Sequence, residues 1–426
     1  MPNKTADALA EPLRELVLED FTPHYGQLAD SFPDSDRWQK LREAGSELWL
    51  DSGDIEAVGR LWARQFSAVT TNNTLLNHEV QKGQYDSLIK RAAALVRTRA
   101  GRKVEPRELV LEIAFVLNGR HALRLVEAFD AFVSVEEHTD LANDIPGAIR
   151  YARRYAAICP QRFFVKIPLT PAGLIAARCC HEEKIPVNLT LGFSARHNYL
   201  AARFARPRFV NVFLGRLNQL VADNKLGDGK FIGEKATLAS QRAVRSAAAQ
   251  FKLPTRQIAA SIRGGEQLGD LAGVDVMTLP IAAAEQFTNS KLAGAKIADR
   301  TAEDYEVKFA DPGLARSLGI DKLWDVPEAL VKACDELDRL DVNKLSAADL
   351  EELLRTSGVA DLLVNWSADQ IALARREGKV PVLASWKAWL TGGQIGPDAL
   401  MNLAGLESFS ADQQAMDNRI RQVLGI

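Results

Sequence analysis

The chain has 426 residues, 47% of them hydrophobic and 25% charged, with 53 basic against 55 acidic side chains for a formal net charge of -2. That is ordinary globular composition, which excludes an intrinsically disordered chain and supplies no basic excess for nucleic acid or an anionic membrane surface. No run of about 18 apolar residues occurs, the start MPNKTADALAEPLRELVLED lacks a signal-peptide core, and the 4 cysteines (159, 179, 180, 334) show no CxxC, so a reduced, cytoplasmic setting is expected.

In chain order, the first thirty or so residues read as a short amphipathic segment and a linker, and DSDRWQKLREAG from Asp34 reads as a capped helix ending at Gly45. This is an N-terminal helical segment over residues 1–46. ELWLDSGD then gives a short strand with Asp51 at its carboxyl end and Asp54 as the cap of the following helix. FSAVTTNN repeats the arrangement, with Thr71, Asn72 and Asn73 forming a polar turn. Apolar spacing of three and four predicts long helices over Leu75 to Thr98 and Pro106 to Ala128. Further β-rich runs deliver Glu136 (DAFVSVEE), Lys166 (QRFFVKIP), Asn188 and Thr190 (IPVNLTL), Arg216 (RFVNVFLGR), and Ser261 and Arg263 (QIAASIRGG), and VDVMTLP is the eighth. Alanine-rich helical stretches separate them.

Eight strands alternating with helices predict an α/β fold, a (β/α)8 barrel over residues 47–340, with the polar strand ends converging on one face. After a helix near Val326 to Leu340, residues 341–426 hold three serine-led patterns, SAADLEELLRTSG, SADQIALARREG and SADQQAMDNRIRQVLG, which predict a helical C-terminal extension. Trp366, Trp386 and Trp389 in it read as packing residues. The basic run RTRAGRK reads as solvated surface, GDGK at Gly227 lacks phosphate-loop spacing, and HEEK at His181 lacks the second histidine of a zinc helix. His138, close after Glu136, is expected to support the site or the fold and not to bind metal.

Lys166 stands out because Phe164, Val165 and Ile167 surround it. Alone, such a lysine ends a strand and reaches water with its ammonium, or stays enclosed as a nucleophile toward a ketone. Set beside two carboxylates, two asparagines, a threonine and two arginines on one barrel face, it suits an aldolase that forms an iminium, with a carboxylate moving a hydroxyl proton and the arginines holding a phosphate.

The ordered segments LDSGD, TTN, VSVEE, VKIP, NLTLGFS, FLGR and ASIR, spanning about Leu48 to Phe287, resemble the transaldolases, enzymes of class I that work through a Schiff base. The resemblance implies Lys166 as the Schiff-base lysine and Asp51 as acid and base toward the donor's C4 hydroxyl. It implies that Glu136 and Thr190 position a water, that Asn72 and Asn188 orient the bound dihydroxyacetone unit, and that Arg216, Ser261 and Arg263 bind phosphate. The implied reaction carries a three-carbon ketol from sedoheptulose 7-phosphate to glyceraldehyde 3-phosphate, giving erythrose 4-phosphate and fructose 6-phosphate in the pentose phosphate pathway, without metal or organic cofactor. Phosphorylated sugars are the expected partners, with neither nucleic acid nor membrane, and a homodimer is left open. Asn211 stands where the family often has serine, which bears on donor preference while leaving it able to bond the ketol hydroxyls, and TTNNT replaces the family's TTNPS, exchanging a proline for Asn73. The alternatives are a related lysine aldolase that releases free dihydroxyacetone, against which Phe213 in FLGR speaks, and a catalytically silent barrel used as a binding module.

Overall fold

The β-rich runs form eight strands: β1 (Glu47–Asp51), β2 (Phe66–Thr70), β3 (Phe132–Glu136), β4 (Phe163–Pro168), β5 (Val187–Thr190), β6 (Phe209–Phe213), β7 (Arg256–Ala260) and β8 (Val276–Pro280). In this computed structural model, which describes residues 7–426, they pair in parallel in sequence order and close into a barrel, with helices around it. The (β/α)8 expectation is therefore met.

Side chains alternate inward and outward along each strand. Leu48, Leu50, Val69, Val133, Val135, Val165 and Ile167 face out and join the core under the helices. The inward residues at the strand starts fill the barrel with rings: Phe164 stacks on Phe132 at 5.1 Å and on Trp49 at 5.7 Å, and Phe209 meets Trp49 edge-on at 4.7 Å. With that floor occupied by apolar rings, the next inward residue on each strand sits nearer the carboxyl-terminal mouth. This is why Lys166, two residues after Phe164, and Asp51, two after Trp49, come to the same end of the barrel. Strand register adds the lateral order, pairing Glu136 with Lys166, Lys166 with Asn188, and Asp51 with Thr70. Pro168 closes β4 just beyond the lysine.

Two helical expectations are corrected. The single helix over Leu75 to Thr98 is two, Asn73–Gln81 and Asp86–Arg99, parted where Gly83 takes φ +81°, outside any helix. Ser346 and Ser367 do cap helices Ala347–Thr356 and Ala368–Glu377, each in a capping box, but Ser410 caps nothing. It lies inside a helix running unbroken from Pro397 to Leu424, which begins with proline in its first turn, where no backbone donor is needed.

That last helix lies against the barrel mouth. Asn402 donates to the carbonyls of Leu169 at 2.9 Å and Leu191 at 2.8 Å, in the loops after β4 and β5. His138 accepts the Asp140 N–H at 3.0 Å and turns its Nε2 to Asp417 at 3.2 Å, so its place is at this junction. Trp386 is fully buried, edge-on to Trp366 at 6.2 Å and tilted to Trp389 at 5.5 Å. Among the described residues no helix is long and apolar enough to cross a membrane.

Candidate active site

The mouth holds a cavity of about 210 Å³ lined by Asp51, Asn72, Lys166, Asn188, Asn211, Arg216, Ser261 and Arg263, together with Phe213, Thr70 and Thr278. Lys166 is 4% exposed, so it does not snorkel out; the strand-end lysine facing water is excluded. Its Nζ donates to the Thr71 carbonyl at 3.1 Å and stands 3.6 Å from Glu136 Oε1.

Two carboxylates flank the amine in different surroundings. Burial lifts the Glu136 carboxyl above the usual range, opposed by Lys166 and by the Asn73 backbone N–H, which donates to its Oε2 at 2.9 Å. That donor exists because position 73 is not proline: the Asn73 departure hands Glu136 a hydrogen bond that a proline nitrogen cannot make. The Asn73 side chain also donates to the Glu137 carbonyl at 3.2 Å, tying the turn to β3 without proline's rigidity. Asp51 keeps an edge on the cavity, yet burial still raises its carboxyl, against Lys166, Thr70 and Arg263. The Thr70 hydroxyl donates to Asp51 Oδ1 at 2.7 Å and lies 2.7 Å from the Thr278 hydroxyl.

The amides form a chain across the floor. Asn211 Nδ2 donates to Asn188 Oδ1 at 2.7 Å and to the Leu189 carbonyl at 2.9 Å, and Asn188 Nδ2 donates to Ser134 Oγ at 2.9 Å. The larger amide at 211 thus locks the orientation of Asn188. Asn72 caps the helix that follows, its side chain accepting the Leu75 N–H at 2.8 Å. Thr190 is fully buried, and its hydroxyl has no hydrogen-bond partner among the described residues. It does not line the cavity; it pairs with Pro168 across β4 and β5.

At the opposite side, Gly215 lets the ends of β6 and β7 approach. A Cβ there would stand 2.2 Å from the Ser261 carbonyl and 2.6 Å from Arg263 Cγ. Its N–H donates to that carbonyl at 3.2 Å while Ser261 takes φ +63°, a strained left-handed turn for a serine. Arg216, 7% exposed, has Nη1 buried without a partner among the described residues, and burial, with Arg263 adding repulsion, lowers its pKa to about 10 against the pull of Asp412 and Glu136. Two guanidiniums and a hydroxyl with an unsatisfied donor make a pole for an anion.

The sequence profile of the Transaldolase/Fructose-6-phosphate aldolase family matches residues 48–322, from β1 to beyond β8. This chain belongs to that family. It is 26% identical over 321 residues to a transaldolase of Thermosynechococcus vestitus, covering 72% of this chain and 78% of the relative. It is 32% identical over 247 residues to a transaldolase of Xanthomonas euvesicatoria, covering 56% and 74%, and 35% identical over 179 residues to a probable transaldolase of Exiguobacterium sibiricum, covering 42% and 74%.

Around this transaldolase-family site stand residues that strand-end reasoning did not reach. Lys379, Ser408, Phe409 and Asp412 line the same cavity from beyond the matched segment. The Thr74 hydroxyl donates to Asp412, joining the last helix to the first turn of the helix after β2. Among the described residues, no group of three or more His, Cys, Asp or Glu is arranged to hold a metal ion.

Proposed function

We propose that the chain is a transaldolase, an enzyme of the transferase class, moving a dihydroxyacetone unit from a ketose phosphate such as sedoheptulose 7-phosphate or fructose 6-phosphate to an aldose phosphate. The observation that carries this reading is the Lys166 amine, buried 3.6 Å from Glu136 in a cavity it shares with Asp51 and with the Arg216 pole.

In this reading the neutral Lys166 amine attacks the C2 ketone, the carbinolamine loses water with Glu136 relaying the protons, and an iminium results. Asp51 takes the proton of the C4 hydroxyl while the C3–C4 bond breaks, releasing an aldose phosphate and leaving an enamine on Lys166. The enamine carbon adds to the incoming aldehyde, Asp51 returns the proton to the new alkoxide, and water, held by Glu136 and the buried Thr190 hydroxyl, hydrolyses the iminium. Asn188, held by Asn211, and Asn72 orient the ketol, and Arg216, Ser261 and Arg263 take the phosphate. Phe213 presents an apolar ring with no hydroxyl to protonate the enamine, which favours transfer over release of dihydroxyacetone.

Incubation with fructose 6-phosphate followed by borohydride reduction and peptide mass spectrometry is expected to show a reduced three-carbon adduct on Lys166. A protein that stays unmodified there, or carries the adduct on another lysine, sinks the reading.

Asp51→Asn tests the proton step. Turnover is expected to fall about a hundredfold while borohydride still traps substrate on Lys166, now as the uncleaved six-carbon ketose phosphate, because general acid–base groups contribute about 10²–10⁴ in rate. The sign of the pH dependence follows from burial, which raises the Asp51 carboxyl. Since only the carboxylate accepts the C4 proton, activity is lost as pH falls through that raised value, placing the acid limb of kcat/KM above about 3.9, the ordinary aspartate figure. The Asp51→Asn variant lacks that limb; an unchanged acid limb would assign it to another group.

A further inference from the structure

The helix Pro397–Leu424 begins well past residue 322, where the family match ends, yet it contributes a ring to the reacting centre. Phe409 is buried; its ring centroid lies 5.7 Å from Lys166 Nζ and 5.5 Å from the Arg216 guanidinium carbon, and 6.4 Å from the Phe213 ring. Both cations fall within the about 6 Å over which an aromatic face attracts positive charge. The ring is held in place, since Asn402 anchors the helix on one side of it and the Thr74–Asp412 hydrogen bond on the other. Phe213 and Phe409 together give the cavity an apolar wall beside the amine.

We infer that Phe409 is a specificity-determining residue of this site: its ring stabilises positive charge on Lys166 nitrogen and shields the adjacent enamine from water, so the C-terminal extension decides whether the three-carbon unit is transferred or released. This rests on the Schiff-base reading above. The enamine has two exits. Its carbon either attacks an aldehyde, forming a C–C bond, or takes a proton from water, giving an iminium that a second water hydrolyses to free dihydroxyacetone and the regenerated amine. A wall that keeps water from the enamine carbon slows the protonation that opens the second exit, whereas the aldehyde addition of the first needs no water. The first depends on the aldehyde, which the phosphate pole delivers.

The test measures dihydroxyacetone released from fructose 6-phosphate without acceptor, relative to transfer to an added aldose phosphate, in the parent, Phe409→Ala and Phe409→Leu. Opening the wall with alanine is expected to raise the release-to-transfer ratio about tenfold. Leucine keeps an apolar body but no π face, so its ratio is expected to rise about threefold, with a lower steady-state yield of borohydride adduct on Lys166. Leucine also answers the question if the alanine variant does not fold. A residue that merely packs would lower release and transfer in parallel; an unchanged ratio in a folded variant that still forms the adduct overturns the inference alone. Absence of any adduct in the parent overturns the Schiff-base reading and this inference with it.

Discussion

Lys166→Arg is expected to lower transfer by at least about 10⁴-fold, because losing the nucleophile removes covalent catalysis while only binding and polar stabilisation remain. The guanidinium can still donate hydrogen bonds to Glu136 and Asp51, so the site keeps a donor there. It cannot lose a proton under assay conditions, however, and so has no lone pair to attack a ketone. The larger head in a closed barrel costs roughly 1–3 kcal/mol through overpacking, which thermal unfolding reads separately from activity. Lys166→Met, an unbranched apolar chain, is the companion: it is expected to be equally inactive and to give no borohydride adduct. Turnover within tenfold of the parent in a folded Lys166→Arg protein would remove the lysine from the chemistry.

The barrel and its ring of strand-end groups were legible because two periodicities agree. Alternation along β4 turns Phe164 and Lys166 inward while Val165 and Ile167 face the helices, and parallel strands bring their carboxyl ends to one mouth. What the sequence could not reveal was proximity between distant segments. Phe409 looks like any core aromatic on a helix, and nothing local to it tells that the helix crosses the barrel mouth. The misplaced start at Ser410 has the same origin, since a serine before an acidic turn looks like a cap unless the upstream helix is known to continue from Pro397. Asn73 was visible only as a lost proline. Its gain, an N–H for Glu136, depends on β3 standing beside β2, which no local pattern encodes.

Asp398→Asn is expected to destabilise the protein by about 3–5 kcal/mol, the usual consequence of removing one member of a buried ion pair. Asp398 and Arg196 are both buried, joined by two hydrogen bonds of 2.7 and 2.6 Å, and the Ser194 hydroxyl adds a third to Asp398 at 2.6 Å. Burial alone would raise the Asp398 carboxyl, but Arg196, with His197 and Ser194, outweighs it and holds the group well below the usual carboxylate range. Its contribution is therefore complete above about pH 3.9 and is lost as pH falls through the depressed folded value. The gap between parent and variant in urea unfolding should narrow in that acid range. Asp361 still meets Arg196 at 3.0 Å, which favours the lower end of the loss. The double variant Arg196→Met, Asp398→Leu is expected to recover about half of it, because no half-paired guanidinium stays buried. Asp398 stands in the first turn of the helix that carries Phe409, and Ser194 caps the helix Ala195–Leu200 that holds Arg196 after β5, the strand paired with that of Lys166, so this pair fastens the last helix to that one. Loosening it should move the ring as well as weaken the fold, and Asp398→Asn is expected to raise acceptor-independent release at temperatures well below its melting point. Lower stability with an unchanged release ratio would mean that the remaining contacts of the helix, those of Asn402, Asp412 and Asp417 among them, keep it on the barrel.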